Sequence, residues 1–235
     1  MAYWCGYNRA MQTGRFITFE GGEGTGKSTQ VKLLGERLNR AGFATVITRE
    51  PGGSPFAERV RDVILDPQTP PHSALSEALL FYAARADHLE KRIRPARSAG
   101  QWVISDRFSD STRVYQTLAG GLPLATFETL ERLVVGDARP DLTLLLDLPA
   151  ELGLERARQR RESGGTGPPS SDGARAADAY EARDISFHAR LRDGFLALAR
   201  AEPDRCVVID ARQPIDAIAD AVWAAVRARL TDRVA

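Results

Sequence analysis

Gly21-Gly22-Glu23-Gly24-Thr25-Gly26-Lys27-Ser28 is the stretch on which the reading of this chain turns. Its spacing, GxxxxGK[ST], follows a β-rich run from Arg15 to Glu20 and precedes a helical pattern through Val31, Leu33, Leu34 and Leu38 that stops at Gly42. In that context glycines let backbone N–H groups curl around phosphate oxygens, and the helix N-terminus adds the positive end of its dipole. Lys27 is expected to reach β- and γ-phosphates, and the Ser28 hydroxyl to ligate Mg²⁺. Lys27, Lys32 and Lys91 are the only lysines in a set of 32 basic residues, so a lysine in register with this motif is unlikely to be an accident of composition.

Outward from the loop, short apolar runs alternate with helical periods. Phe43 to Thr48 and Trp102 to Ser105 read as strands, followed by Leu142 to Leu146 and Cys206 to Ile209. Helices are expected over Pro55 to Leu65, Ser73 to about Arg97, Ala150 to Arg161, Asp178 to Ala201 and Ile215 to Leu230. Further helical segments between the third and fourth strands break at Gly120, Gly121 and Pro123. Strands without polar alternation, separated by helices, predict an α/β fold with a five-stranded parallel sheet covered by helices on both faces. Residues 1–14 match no motif and read as a flexible N-terminal extension, and residues 15–231 as a single domain. Glu162 to Ala177 is rich in Gly, Pro and Ser and lacks any aromatic or large aliphatic residue, which predicts a mobile loop.

The chain has 235 residues, of which 43% are hydrophobic and 27% charged, with a net charge of +1. These values exclude a wholly disordered chain and a small disulfide scaffold, and no global field points to nucleic acid or a membrane as partner. Cys5 and Cys206 form no metal-ligand cluster, and no run approaches 18 apolar residues. A cytoplasmic, reduced protein is expected.

Asp106 ends the apolar run Trp102-Val103-Ile104-Ser105 and suits a carboxylate that supports Mg²⁺ at the ligand edge of the sheet. It is followed by Arg107 rather than by a second acid that could activate water. The asparagines are Asn8 and Asn39, so no guanine-reading Asn-Lys-x-Asp motif exists. Transfer to an acceptor other than water is the expected chemistry. Arg49 after the second strand and Arg107 after the third suit an anionic acceptor, because guanidinium pairs with phosphate in bidentate geometry. Either arginine, taken alone, could instead be a surface ion pair. A P-loop ATPase or a nucleotide-binding regulator remains the rival class at this point.

Several motifs together resemble the thymidylate kinase family. They are Phe19-Glu20-Gly21 through Ser28-Thr29, Thr48-Arg49-Glu50-Pro51-Gly52-Gly53, Phe81-Tyr82-Ala83-Ala84-Arg85, and Asp106-Arg107-Phe108 with Ser111-Thr112 and Tyr115-Gln116. The resemblance implies the P-loop NTPase fold, a homodimer, and phosphoryl transfer from MgATP to dTMP, giving dTDP and ADP in dTTP synthesis. It implies that Gly21 to Thr29 bind ATP and that Ser28 and Asp106 hold the metal. It also implies that Arg49 and Arg107 hold the dTMP phosphate, and that Glu23 accepts from the 3′-hydroxyl. Phe81 would stack on thymine, Arg85 and Thr112 would read its edge, Tyr115 would pack on the deoxyribose, and Gln116 would complete the pocket. On the helix itself, Leu75, Leu79, Tyr82, Ala86, Leu89 and Ile93 form one stripe, with Phe81 and Arg85 as an i, i+4 pair on a neighbouring face.

The P-loop carries no arginine, so the resemblance places the transition-state charge in a lid over about 156–181, as in the bacterial subtype. Arg160 is the first candidate, with Arg158 and Arg175 behind it. The family's short lid continues Asp-Arg-aromatic-Glu, whereas this chain is longer there and reads Asp178-Ala179-Tyr180-Glu181.

Overall fold

A computed structural model describes residues 13–162, 180 and 183–230. Five parallel strands form one sheet in the order β2-β3-β1-β4-β5: β1 is Phe16–Glu20, β2 Thr45–Arg49, β3 Trp102–Asp106, β4 Leu142–Asp147 and β5 Cys206–Asp210. Successive residues face opposite sides of a strand, and both sides are filled. Ile17, Phe19, Ile104, Leu144 and Leu146 pack with Val31, Leu34 and Leu38 of α1 (Lys27–Arg40) and with Ile218, Val222 and Val226 of α9 (Ile215–Leu230). Phe16, Val103 and Leu145 point the other way. There they meet α3 (Ala74–His88) and α8 (Ile185–Ala201), with α2 (Pro55–Leu65) and α6 (Leu124–Val134) completing that layer.

Each strand runs one residue further than its apolar stretch. The five strands end on Glu20, Arg49, Asp106, Asp147 and Asp210, all at one edge of the sheet. Arg49 therefore closes β2 instead of following it, and its Cα is paired in register with that of Asp106, which is itself opposite Phe19. The ladder continues for one hydrogen-bonded step after the side chains have left the core.

The helix expected from Ser73 to about Arg97 is in three pieces. α3 passes into a π-helical turn, Leu89–Ile93, and then α4 (Arg94–Ser98). Pro95 lies at the start of α4; it lacks the N–H that would continue the α-helical ladder, and the register shifts ahead of it. A second π-helical turn, Arg113–Ala119, follows α5 (Ser109–Thr112) and carries Tyr115 and Gln116. The helix expected from Asp178 begins at Ile185, with Asp184 as its N-cap accepting from the Phe187 N–H; residues 178 and 179 lie outside the described residues, as do residues 163–177 of the expected mobile loop.

The stripe assigned to α3 needs correction. Leu75, Leu79 and Ala86 are exposed, whereas Ala78, Tyr82, Arg85 and Leu89 make the buried face. Arg85 is thus in the core, where an ion pair and two aromatic rings replace the water it loses. Gly14, which the sequence places in the extension, is held by Arg97: its N–H donates to the Arg97 carbonyl at 2.8 Å, and its carbonyl accepts from Arg97 Nε at 3.1 Å.

Candidate active site

The loop Gly21 to Gly26 lies between β1 and α1 at the charged edge of the sheet. Gly26 caps α1 with φ 89°, a left-handed conformation that an L side chain rarely adopts. No side chain caps this helix and no acidic residue occupies its first turn, so its positive end faces the loop. Lys27 is buried, and its ammonium donates to the carbonyls of Gly22 at 2.7 Å and Gly21 at 3.2 Å. Burial, then the charge of Arg107, lower its pKa to about 8. Thr25 is buried beneath the loop, while Ser28 and Thr29 face outward from the first turn of α1.

Ser28 Oγ donates to Asp106 Oδ2 at 2.5 Å, which joins the first turn of α1 to the end of β3. A hydroxyl and a carboxylate at the mouth of a phosphate loop are the hard oxygen donors that Mg²⁺ takes while keeping waters and phosphate oxygens for its other positions. Among the described residues, no group of three or more His, Cys, Asp or Glu could hold a metal ion.

Arg107 is the one non-glycine residue with positive φ, 69°, among the described residues. Such a conformation costs on the order of 1–3 kcal/mol and persists only where surrounding bonds hold it. Three do. The Arg107 N–H donates to the Phe19 carbonyl at 2.9 Å, Ser105 Oγ donates to the Arg107 carbonyl at 2.8 Å, and the next N–H, that of Phe108, donates to Glu20 Oε1 at 2.8 Å. The turn brings the guanidinium back over the loop, where it donates to Glu23 Oε1 at 2.7 Å, the Gly21 carbonyl at 3.0 Å and Ser111 Oγ at 3.1 Å. Burial opposes the Glu23 charge, but Arg107, Lys27 and the Tyr115 hydroxyl outweigh it and hold its pKa at about 2. Glu23 is an anion at neutral pH.

Tyr115 closes the next side. Its hydroxyl donates to Glu23 Oε1 at 2.9 Å, and its ring packs edge-on against Tyr180, Phe187 and Phe195. Gln116 Nε2 donates to Glu77 Oε2 at 3.0 Å, and Tyr180 donates to Glu77 Oε1 at 2.8 Å. Beside them lies a cavity of about 150 Å³ lined by Glu77, Tyr115, Tyr180, Phe187 and Arg190 among others. Across the pocket Arg85 Nη2 donates to Thr112 Oγ1 at 2.9 Å. Phe81 is partly buried on α3, one turn before Arg85.

The structure thus brings together Glu23, Arg107 and Tyr115 around the loop, and Arg85 with Thr112 beside them. Arg49 stands at the end of β2 and pairs with Glu58 of α2 at 3.0 Å. Of the lid candidates, Arg158 lies on an exposed face of α7 (Ala150–Glu162), paired with Glu155 at 2.8 Å; Arg160 is on another face of the same helix, and Arg175 lies outside the described residues. Glu20, Glu50, Glu77, His88 and Tyr180 were not assigned roles from sequence. Glu20 ends a fully buried strand that is apolar but for Thr18, and a carboxylate closing such a run is the one signal the sequence pattern carries.

The Thymidylate kinase family model matches residues 19–222. The chain is 50% identical over 218 residues to the thymidylate kinase of Nitrobacter winogradskyi, covering 93% of this chain and 90% of that protein. It is 49% identical over 222 residues to that of Bradyrhizobium sp. strain ORS 278, covering 94% and 93%. A crystal structure of thymidylate kinase from Ehrlichia chaffeensis superposes with a TM-score of 0.69 at 32% identity, covering 91% of this chain and 99% of that one.

Proposed function

The chain belongs to the thymidylate kinase family, with its P-loop NTPase fold, and phosphorylates dTMP to dTDP with ATP as donor; we propose the following division of work among its side chains. An oxygen of the dTMP phosphate bonds to the γ-phosphorus as the bond to the β–γ bridging oxygen breaks, and ADP leaves with that electron pair. The attacking oxygen is already anionic near neutral pH, so no general base is required. Alignment, charge neutralisation and exclusion of water carry the catalysis.

Gly21 to Thr29 cradle the ATP phosphates, with Lys27 neutralising charge on the transferring group. Ser28 and Asp106 hold Mg²⁺, which when bound offsets the charge of the β- and γ-phosphates. Arg49 and Arg107 grip the dTMP phosphate, and Glu23 accepts from the 3′-hydroxyl. Phe81 stacks on the base, Arg85 and Thr112 meet its edge, and Tyr115 with Gln116 lines the sugar side. The lid over about 156–181 closes with Arg160, or Arg158 behind it, as the transition-state arginine. The observation that carries this reading is the left-handed turn at Arg107, which aims its guanidinium at Glu23 inside the phosphate loop.

Two wider proposals accompany it. Phe56, Val63, Leu75, Leu79, Leu124 and Leu133 are exposed on the neighbouring helices α2, α3 and α6. An apolar surface of that kind suits burial against a second copy of the chain, with molar mass in solution as the check. The enzyme is read as cytoplasmic because its substrates are intracellular nucleotides. No described helix is long and apolar enough to cross a membrane.

Steady-state kcat/KM for dTMP, dUMP, CMP, AMP and GMP tests the acceptor site. Stacking is tolerant of base identity, so choice comes from the polar edge. dTMP is expected to be best and dUMP roughly tenfold weaker for one buried methyl. The other three lose about ten- to a hundredfold per unpaired polar group. CMP or AMP matching dTMP would remove this assignment.

A further inference from the structure

The guanidinium of Arg85 is bound on every side but one. Nε donates to Glu50 Oε2 at 2.8 Å and Nη2 to Thr112 Oγ1 at 2.9 Å. The rings of Tyr82 and Phe108 lie 4.8 and 5.2 Å from Cζ. Nη1 is buried without a hydrogen-bond partner. Burial alone would lower the Arg85 pKa, but Glu50 and then the neighbouring oxygens carry it upward, so the group is a fixed cation with one unpartnered nitrogen, Nη1, to offer.

Glu50 is itself held from behind. Its other oxygen, Oε1, meets His88 Nδ1 at 2.9 Å, and His88 Nε2 lies 2.6 Å from Thr48 Oγ1. His88 is fully buried and Glu50 5% exposed. Facing a carboxylate, Nδ1 must donate; in the neutral ring Nε2 is then bare and accepts from the threonine hydroxyl. Position 53 is shaped for this contact. A Cβ there would stand 2.4 Å from His88 Nε2 and 2.5 Å from Thr48 Oγ1. Thr48, His88, Glu50 and Arg85 thus form one hydrogen-bonded chain from β2, through the following turn, to α3.

We propose that Glu50 and His88 are positioning residues for base selection, holding Arg85 so that Nη1 is presented to a pyrimidine carbonyl and to nothing else. The proposal rests on the reading of Arg85 as a contact to the thymine edge. A carbonyl accepts from a rigid guanidinium, whereas the exocyclic amino group of cytosine meets it donor to donor. A guanidinium free to rotate could turn away from that amino group, so its rigidity, beyond its charge, sets the discrimination.

The test is the ratio of kcat/KM for dTMP over dCMP, measured with the KM for MgATP in Glu50→Gln, His88→Ala, His88→Asn and Arg85→Lys. Glu50→Gln and His88→Ala should raise the dTMP KM and narrow the ratio by about tenfold, the scale of one lost buried hydrogen bond, while the MgATP KM stays put. His88→Asn, whose amide nitrogen can stand in for Nδ1, should recover part of the loss. Should Glu50→Gln fail to fold, Thr48→Val probes the far end of the chain and must shift the ratio in the same direction. If all acceptors weaken alike while Arg85→Lys narrows the ratio, the chain is structural only and the proposal is overturned. If Arg85→Lys leaves the ratio unchanged, it is the thymine-edge reading of Arg85 that fails.

Discussion

A Cβ on Gly24 would stand 1.9 Å from the carbonyl oxygen of Gly153, and one on Gly153 would stand 2.3 Å from the carbonyl oxygen of Glu23. The first turn of α7 therefore rests on the crown of the phosphate loop through bare backbone. Gly153, Arg156 and Arg160 are spaced i, i+3, i+7 and share a helix face, with Arg160 about 10 Å further along the axis. Arg156 Nη1 donates to the Ala211 carbonyl at 2.9 Å, whereas Arg158 points away and pairs with Glu155. On the proposed lid reading, Arg160 shares the helix face that meets the phosphate loop and Arg158 does not, which supports taking Arg160 first.

Gly153→Ala separates propensity from contact. Helix propensity alone predicts a gain of up to about 1 kcal/mol for Ala over Gly. The clash with the Glu23 carbonyl predicts a net loss instead, together with a raised MgATP KM as α7 lifts from the loop. Thermal melts and steady-state kinetics decide between the two, and an increase in Tm with unchanged kinetics would discard the contact argument.

Arg160→Ala is expected to lower kcat by roughly the 10³ scale of an arginine finger while changing the dTMP KM little. Arg158→Ala is expected to have a small effect, because its ion pair is exposed and such pairs contribute about 0–1 kcal/mol. Turnover that survives both changes would place the charge outside this helix.

Lys27→Ala should cost on the order of 10²–10⁴ in kcat and leave the fold intact. Burial and the Arg107 charge lower the ammonium to about 8, and on the proposed reading ATP phosphates would favour its charged form. MgATP affinity should therefore fall as pH rises through 8, and binding near pH 8.5 should take up a proton. Titration calorimetry in two buffers of different ionisation enthalpy reads that proton, and Lys27→Ala should abolish it.

Burial, and then the charge of Asp110, push Glu20 up to about 8. A folded-state pKa above the unfolded one means that the native state holds the extra proton. The stability this group supplies is complete below its ordinary value of 4.5 and is lost as pH rises towards 8. Glu20→Gln, which imitates the neutral acid, should gain stability relative to the parent between pH 5 and 8. A difference in Tm that stays constant across that range would show that Glu20 carries no proton.

Much of the architecture was legible in the sequence because it is local. GxxxxGK[ST] needs only its own glycines and the first turn of α1, and the apolar runs mark strands wherever both faces are covered. The run ending at Glu20 has its C-terminal end right, whereas the ends of the other four strands fall one residue short, since hydrophobicity reports the core and not the last rung of the ladder. The exposed leucines of α3 were read as core for a related reason: periodicity identifies an apolar face without saying what covers it. Arg85 was taken for a face beside the core, and only the tertiary structure could move it inside. Its burial depends on Glu50 from the β2–α2 turn, Thr112 from α5 and the Phe108 ring after β3, none of them within a helical turn of it; only the Tyr82 ring comes from its own helix. The same holds for the reversal at Arg107, which is held by Phe19, Ser105 and Glu20. Amino-acid order determined which groups could bind phosphate and base; the packing of distant strands and helices decided which of them are rigid, charged and aimed.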